Sequence, residues 1–252
     1  NPISCGSEPI AITNCLNFGN PENEKIMGQF TECLEGISKA CNYLDYPVVS
    51  GNVSFYNGTN KKNIFPTPVI GGVGLISKLF KPLSHNFINE KSILILIGKT
   101  NGHLEQSCFL KENYSIVDGR PPDINLANEK NNGEAVLNLI SKKLILSAHD
   151  VSTGGIIVCL GEMSIGSNIG IKVERPKKLQ NLNEYFFGED QGRYILEVDE
   201  KNIDKVNKSL KNNNIFYENI GVTQKNFFEI EGEVKIDIND LSKINNQWYN
   251  NF

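Results

Sequence analysis

The sequence predicts an α+β or α/β fold with mixed sheets and packed helices. Short apolar runs rich in β-branched residues, such as 9–13 and 93–98, alternate with longer segments whose apolar residues recur at helical spacing. A chain of 252 residues, 39% of them hydrophobic, can bury a sizeable core. Its length corresponds to one or two domains.

The first part of the chain is predicted to hold one long helix between short strands. Asn20 can cap this helix and Pro21 suits its first position. Apolar side chains then recur at helical spacing, and the helix should end before Pro47. A polar loop is predicted at 14–20. The accompanying strands are predicted at 9–13, 47–49 and 64–76.

The pattern becomes polar between residues 77 and 90, and we place a domain boundary there, dividing 1–80 from 81–252. Strands of the second part are predicted at 93–98, 144–147, 169–173, 194–198, 215–222, 227–230 and 234–238. Helices are predicted at 126–142, 154–163 and 203–210, with a terminal helical turn at 241–248.

Charge and hydropathy argue against several classes of protein. The formal net charge is −4, which disfavours a non-specific nucleic-acid binder. No run of about 20 apolar residues is present, so we expect no membrane-spanning helix, and no signal peptide is visible. The six cysteines form no C-x-x-C pair, which favours thiols in a reducing cytoplasm over a zinc site.

Two polar clusters in the first part follow predicted strands, where ligands bind in layered α/β folds. Asn14 is either a contact to a nucleotide or an ordinary turn residue. In the second cluster, Gly51 lets the backbone approach a phosphate, whereas Asn52 and Ser54 offer oxygens to a hydrated Mg²⁺ or a substrate. A simple β-turn would contain the same residues.

A third cluster follows a strand of the second part. Asp150, Ser152 and the pair Gly154-Gly155 lead into a predicted helix, whose free N–H groups favour phosphate. Asp150 could hold a metal that screens the phosphates. A helix cap with a glycine turn is the alternative and explains part of the pattern.

A fourth, weaker cluster contains acidic residues, and we interpret it as a solvated loop with an ion pair. It consists of Glu189, Asp190, Gln191 and Arg193. Nothing in the sequence fixes its carboxylates as an acid–base pair. A Ser–His–Asp hydrolase is disfavoured because no G-x-S-x-G motif is present.

Together these segments resemble the large subunit of phosphoribosylformylglycinamidine synthase, in the form that uses ammonia from a glutaminase. The similar stretches are ITNCLNFGNP at 12–21, PVVSGNVSFY at 47–56, FPTPVIGGVGL at 65–75, SAHDVSTGG at 147–155 and FGEDQGR at 187–193. The first two are long and specific, whereas SAHDVSTGG is shared with the wider aminoimidazole ribonucleotide synthetase superfamily. The resemblance implies a truncated N-terminal-type domain at 1–80 and a complete C-terminal-type domain at 81–252.

The resemblance also implies an activity in de novo purine biosynthesis. In that family ATP activates the formamide oxygen of formylglycinamide ribonucleotide, and ammonia then displaces phosphate to give the amidine, ADP and phosphate. A separate glutaminase subunit supplies the ammonia, and a small third subunit bridges the two. The expected cofactors are ATP and Mg²⁺.

The family's large subunit is an internal duplication, and this chain resembles the last part of its second copy. The catalytic histidine is therefore expected in the missing N-terminal half, and the chain alone is predicted to be inactive. Without that half, the chain is also expected to expose a sheet surface that normally pairs with the other copy.

Site residues carry over from the resemblance position by position. Asn14 and Gly51 would contact ATP, Asn52 would ligate Mg²⁺, and Ser54 would contact the ribonucleotide. Asn14 stands where the family usually has aspartate, which loses a charge but keeps an oxygen acceptor. Candidates for a second ligand site follow from the family's internal symmetry and are Asp150, Ser152 and Glu189.

Two alternatives remain open. One is a non-catalytic nucleotide-binding or scaffold fragment, which the missing half and Asn14 favour. The other is a different ATP-using enzyme of the superfamily, such as a thiamine-phosphate kinase or a selenophosphate synthetase. The stretches at 12–21 and 47–56 argue against this second alternative.

Overall fold

The computed structural model describes residues 1–60, 62–77, 81–176 and 181–250, apart from the side chain of Asn250. The chain divides into two compact units. The first consists of Pro2 and Ser7–Lys78; the second of Asn1, Ile3–Gly6 and Leu79–Phe252. The boundary predicted between 80 and 81 adjoins residues 78–80, which lie outside the described residues, and it stays a prediction.

The first unit is a three-stranded sheet with one long helix. Strand β1 (Glu8–Asn17) is central, parallel to β2 (Val48–Ser54) and antiparallel to β5 (Thr67–Leu75). Helix α1 (Glu24–Leu44) connects β1 to β2. Two short strands, β3 (Gly58–Thr59) and β4 (Lys62–Asn63), pair with each other.

Helix α1 is present as predicted, but its cap is Asn23 and not Asn20. The Asn23 side chain accepts a hydrogen bond from the Lys25 amide at 3.0 Å. Asn20 instead accepts from the amide of Glu22 in the preceding turn. Both asparagines have the chemistry of a cap, and the position of the turn decides between them. The helix ends before Asp45, which adopts a left-handed conformation.

The strands of the first unit extend further than the sequence predicts. Strand β1 continues through Asn17 and β2 continues through Ser54, so Asn14, Gly51 and Asn52 lie within strands. The predicted loop at 14–20 is therefore wrong in its first residues, and the β-turn alternative for Gly51 is wrong. Asparagine and glycine are typical of turns, but pairing with a neighbouring strand overrides that preference here.

One face of this sheet is packed and much of its remaining surface is exposed. Leu16 and Phe18 form a buried cluster with Ile26 of α1. The Phe30 ring makes edge contacts with two further aromatic rings, at centroid distances of 5.0 and 5.2 Å. In contrast, every residue of β5 is exposed, including Leu75 at 63%.

The second unit is built on a mixed sheet of seven strands, in the order β12-β11-β8-β10-β6-β9-β7, in which only the β8–β11 pair is parallel. The strands are β6 (Ile93–Ile97), β7 (Ser147–Val151), β8 (Gly170–Val173), β9 (Arg193–Val198), β10 (Tyr217–Gln224), β11 (Phe227–Ile230) and β12 (Val234–Asp237). The helices are α2 (Cys108–Tyr114), α3 (Leu126–Ser141), α4 (Gly155–Ser167), α5 (Leu182–Phe187), α6 (Ile203–Asn212) and α7 (Ile238–Asn250).

Strand β6 is buried on both faces, which explains its unbroken apolar sequence. Leu94 and Leu96 join a core that includes residues of α4, α5 and α7. Ile95 and Ile97 point the other way and join a core that includes α3 and α6. The sheet therefore lies between two helical layers. Helices α2 and α5 were not predicted, because segments of seven and six residues are too short to show a helical period.

The buried carboxylate of Glu197 in β9 links this strand to β7 and to the segment before β6. Glu197 is fully buried and accepts hydrogen bonds from the hydroxyls of Ser92 and Ser147, each at 2.8 Å. The amides of Ile88 and Asn89 donate to the same carboxylate at 2.8 and 2.9 Å. Four donors compensate for the loss of water around this charge.

No helix of the described residues is long and apolar enough to cross a membrane.

Replacing Leu96 with alanine should lower the free energy of unfolding by about 2–5 kcal/mol, because the vacated space lies in the packed core. Urea unfolding checks this prediction. Val158→Ala is the control, since Val158 is 40% exposed, and its cost should be about 0.5 kcal/mol. Equal losses for the two variants would contradict the assigned core.

Glu197→Gln should lower the free energy of unfolding by about 2–3 kcal/mol, because an amide cannot accept from all four donors and buried donors lose their partner. The exposed Glu200→Gln serves as the control. Chemical denaturation of both variants at pH 7 gives the comparison, and an unchanged stability of Glu197→Gln would show that the four hydrogen bonds contribute nothing net.

Candidate functional site

In the first unit, Asn14 and Gly51 face each other across parallel strands. The register pairs Asn14 of β1 with Gly51 of β2. A Cβ atom at residue 51 would collide with Oδ1 of Asn14, so the carboxamide lies directly over the glycine backbone. Only glycine leaves room for this approach. The two predicted ATP contacts are thus adjacent.

The other two predicted site residues of this unit lie on the opposite face of the sheet. Asn52 pairs with Cys15 and Ser54 pairs with Asn17. Because side chains alternate along a strand, Asn52 and Ser54 point away from the face that carries Asn14. The structure therefore brings the four candidates together as two pairs on two faces, and not as a single cluster.

Ser54 has a partner that the sequence analysis missed. The Asn57 carboxamide contacts the Ser54 hydroxyl through Nδ2 at 3.0 Å and through Oδ1 at 3.2 Å. Nδ2 also lies 3.0 Å from the carbonyl oxygens of Phe18 and Ser54. Asn57 therefore fixes the hydroxyl and joins the ends of β1 and β2. The Asn57-Gly58 pair, a common turn signal, was the only hint in the sequence.

In the second unit, Asp150 is held by ionisable and polar neighbours. His149 Nδ1 lies 3.6 Å from its Oδ1, and the Ser4 hydroxyl donates to the same oxygen at 3.3 Å. The hydrogen bond with His149 lowers the pKa of Asp150 to about 2, against the opposing effect of burial. Asp150 is thus a stable anion at the end of β7.

His149 lies between two carboxylates. Its Nε2 is 3.1 Å from Oε2 of Glu162, and its ring is 5.2 Å from that of His85. The hydrogen bond with Asp150 raises the pKa of His149, and Glu162 adds to this effect, while burial opposes it. The imidazolium is therefore favoured at this position.

The Gly154-Gly155 turn starts helix α4 without a side-chain cap. Both residues have positive φ, at 79° and 71°. A Cβ at Gly155 would lie 2.7 Å from the carbonyl oxygens of Phe186 and Gly188, so the position requires glycine. Gly154 caps the helix with no side-chain hydrogen bond, and Ser152, two residues earlier, is exposed. Amides at such a helix start favour an anion.

Glu189 connects the starts of two helices. Its Oε1 accepts from the amide of Gly154 at 2.9 Å and from the amide of Cys108 at 2.8 Å. A carboxylate is favoured at the positive end of a helix dipole. The structure thus joins Glu189 directly to the glycine turn, whereas Asp150 contacts His149 and Ser4.

The loop beside Glu189 is not solvated, which corrects the interpretation of the fourth cluster. Asp190 is 4% exposed and accepts from the amides of Asn101 and Gly102, each at 2.9 Å. Arg193 is 1% exposed. Its guanidinium donates hydrogen bonds to the carbonyl oxygens of Gly188 and Asp190, and it lies 3.9 Å from the Asp190 carboxylate. The five N–H donors of arginine allow this charged group to be buried with its hydrogen bonds satisfied.

A cavity of about 870 Å³ lies beside this loop and is large enough for a small-molecule ligand. Its lining includes Lys99, His103 and five carboxylates: Glu105, Asp123, Glu129, Glu184 and Asp190. Burial raises the pKa of Glu129. The excess of carboxylates is unfavourable for bare phosphates.

Models of two protein-family domains match this chain. The C-terminal domain of AIR synthase related proteins matches residues 92–230, and the N-terminal domain matches residues 1–76. The chain belongs to the AIR synthase related protein family. The α+β class predicted from the sequence, with an N-terminal-type and a C-terminal-type domain of this family, is confirmed.

Individual relatives of the AIR synthase related family are similar over nearly the whole chain. Phosphoribosylformylglycinamidine synthase subunit PurL of Pelagibacter ubique is 48% identical over 252 residues, which are 100% of this chain and 34% of that protein. The subunit of the same name from Rhodopseudomonas palustris is 42% identical over 248 residues, or 98% of this chain and 34% of that protein. The chain spans about a third of the length of the curated relatives it matches.

Solved structures of low sequence identity share the family fold. Thermotoga maritima PurL complexed with ATP has a TM-score of 0.68 at 16% identity, covering 95% of this chain and 39% of that one. The complex with FGAR has a TM-score of 0.71 at 15% identity, covering 95% and 40%. A HypE–HypF complex has a TM-score of 0.65 at 14% identity, covering 93% and 78%. These likenesses show the fold; the site residues stay predictions.

His149→Gln should destabilise the protein more at pH 5 than at pH 9. The pKa of His149 is raised in the folded state, so the charged ring stabilises the fold. This stabilisation is fully present below about pH 6.5, the ordinary histidine pKa, and is lost as the pH rises through the higher folded-state pKa. Asp150 stays ionised at both pH values, since its pKa is about 2. Urea unfolding at the two pH values measures the difference.

The control is Asn113→Gln on α2, which changes an exposed side chain that does not titrate. Its effect on stability should be similar at pH 5 and pH 9. A pH-independent cost of His149→Gln would mean that the two carboxylates do not stabilise the imidazolium.

Proposed function

We propose that the chain is part of an ATP-dependent C–N ligase of de novo purine biosynthesis, the large subunit of phosphoribosylformylglycinamidine synthase. The reaction converts formylglycinamide ribonucleotide, ATP and glutamine-derived ammonia to the amidine, ADP and phosphate. The observation that carries the proposal is the 48% identity to a subunit of that enzyme, which extends over all 252 residues. PurL structures of the same fold are complexed with ATP and with FGAR.

The ATP contacts that we propose are Asn14 and Gly51. Two features support this assignment. Gly51 has no side chain, and the Asn14 carboxamide lies beside it on the neighbouring strand, so the polar backbone of one residue is adjacent to the polar side chain of the other. A neutral carboxamide can donate to or accept from a nucleotide without repelling its phosphates. Asparagine therefore suits this role despite the usual aspartate.

Mg²⁺ would be held in part by Asn52. Its exposed carboxamide offers one neutral oxygen, a ligand type that Mg²⁺ accepts. No group of three or more His, Cys, Asp or Glu among residues 1–60, 62–77, 81–176 and 181–250 could form a metal site. Asn52 thus fits as one ligand of a shell otherwise made of water and of phosphate oxygens from a ligand on the Ser54 face of the sheet, and the bound ion would neutralise phosphate charge.

Ser54 is the proposed contact to the ribonucleotide substrate. Its hydroxyl is held by Asn57, so its orientation is fixed before a ligand arrives. We assign Asn57 as a positioning residue for Ser54. Asp150 and Ser152 are the proposed ligands of a second site at the start of α4. Glu189 would support that site through the Gly154 amide.

The proposed partners are the remainder of the large subunit, the glutaminase subunit and the small bridging subunit, all in the cytoplasm. The exposed apolar side chains of β2 and β5, such as Val49 at 65% and Leu75 at 63%, support a partner that covers this sheet. The catalytic histidine would come from that remainder, so we expect the chain alone to form no amidine.

Mg-ATP at 100 times its dissociation constant should stabilise the protein by about 2.7 kcal/mol. This should raise the melting temperature by roughly 5–10 °C for a chain of this size. Asn52→Ala should reduce the shift, because the metal loses a protein ligand. Asn42→Ala on the exposed surface of α1 should leave it unchanged.

Each outcome of this melting experiment decides one part of the proposal. If the rise in melting temperature is unchanged in Asn52→Ala, the proposed role of Asn52 is overturned, and nucleotide binding at the start of α4 becomes the explanation to test. No shift would overturn nucleotide binding by the isolated chain. Ligase activity is tested separately, by adding the remaining two-thirds of a relative's large subunit and measuring amidine formation with ammonia.

A further inference from the structure

A shallow pocket on the second unit is surrounded by lysines without acidic partners. The pocket has a volume of about 420 Å³, and its lining includes Lys142, Lys205 and Lys208 but no aspartate or glutamate. Within the described part of the chain, no ion pair involves these three lysines. This concentration of positive charge occurs in a protein whose net charge is −4.

The helical repeat of α6 places the basic residues on one face. Lys205, Lys208, Ser209 and Asn212 have the spacing i, i+3, i+4 and i+7, which aligns them along a single side of the helix, and all four line the pocket. Ser209 and Asn212 add a hydroxyl and a carboxamide to the ammonium groups. All of these groups can donate hydrogen bonds to an oxyanion.

The opposite side of α6 is fixed in the core, so the pocket has a rigid wall. Val206 and Leu210 are fully buried and pack in a cluster with Val136 and Leu139 of α3. Lys142 follows the last residue of α3 and forms its C-cap. The lysines therefore project from two helices that are held together by apolar packing.

The arrangement has an electrostatic cost in the absence of an anion. Lys205 and Lys208 lie three residues apart on one helix face, where like charges repel each other. Lys142 can interact favourably with the carbonyl end of α3. Asp204 stands four residues before Lys208 on α6, but among the described residues it forms no ion pair with that lysine. An anion between the three ammonium groups would remove the repulsion and form charge-assisted hydrogen bonds.

We propose that this pocket binds a small molecule that carries two or more linked phosphate groups. A single phosphate, with about 1.5–2 negative charges at pH 7, would not balance three lysines. The volume lies within the range of small-molecule sites. The proposed site involves none of the residues assigned to the ligase reaction, and its occupancy is independent of that proposal.

Isothermal titration calorimetry of the complete 252-residue chain with tripolyphosphate, at fixed ionic strength, tests the site. We expect a saturable component of binding that is weakened about 100-fold in Lys205→Gln/Lys208→Gln, or about tenfold for each charged donor removed. The control is Lys25→Gln/Lys39→Gln on α1, which changes the net charge equally at two exposed lysines. It should bind within about twofold of the unaltered protein.

The Asn52→Ala variant separates this pocket from the proposed nucleotide site and should retain the component of tripolyphosphate binding that the two lysine substitutions weaken. Loss of binding in Asn52→Ala but not in Lys205→Gln/Lys208→Gln would overturn the pocket proposal. Equal weakening in the two double-lysine variants would also overturn it, because the binding would then reflect net charge alone. Absence of saturable binding to the unaltered chain would do the same. Circular dichroism of each variant verifies that it is folded.

Discussion

The buried guanidinium of Arg193 is the interaction on which the arrangement of the second unit's candidate site depends. It donates to the carbonyl oxygens of Gly188 and Asp190 and to the hydroxyl of Thr100, at 2.6, 3.1 and 3.0 Å. Burial lowers the pKa of Arg193, and the charge of Asp190 opposes that effect. Removing one partner of such a buried pair typically costs about 3–5 kcal/mol, because the other charge is left uncompensated. These hydrogen bonds hold the loop at 188–193 in place and fix the directions of its two carboxylates. Asp190 accepts from amides of the loop after β6. Glu189 accepts from amides at the starts of α2 and α4.

The first unit relies on a different constraint, namely the pairing of parallel strands. Because Asn14 and Gly51 are opposite each other, and Asn52 and Ser54 are one and three residues further along β2, the register alone determines which candidates share a face. A shift of β2 by one residue would move Gly51, Asn52 and Ser54 to the opposite faces and would leave Asn14 where it is. The aromatic contacts of Phe30 with Phe18 and Phe55 fix α1 against one side of this sheet. The positions of the polar side chains therefore depend on apolar packing several residues away.

Regular periodicity made much of the fold predictable. The runs at 93–98 and 194–198 correspond to β6 and β9, and the helical spacing before Pro47 corresponds to α1. Prediction failed where composition and context disagreed, as in β2, whose Ser-Gly-Asn sequence is typical of a turn but is paired along its length with β1. The role of Glu197 was also beyond sequence reasoning, since its donors Ser92 and Ser147 are 105 and 50 residues away in the chain. The candidate site residues were found through long motifs, whereas Asn57 was missed because its contacts depend on where β1 and β2 end.

The contact between Asn14 and Gly51 has an evolutionary consequence. A Cβ at position 51 would collide with the carboxamide and would also lie 2.8 Å from the backbone carbonyl oxygen of Asn14. The backbone contact is present whatever side chain stands at position 14, so position 51 is restricted to glycine independently of its neighbour. The constraint is therefore one-sided: another polar residue can replace Asn14 without a compensating change, whereas a side chain gained at position 51 would have to displace strand β1 itself.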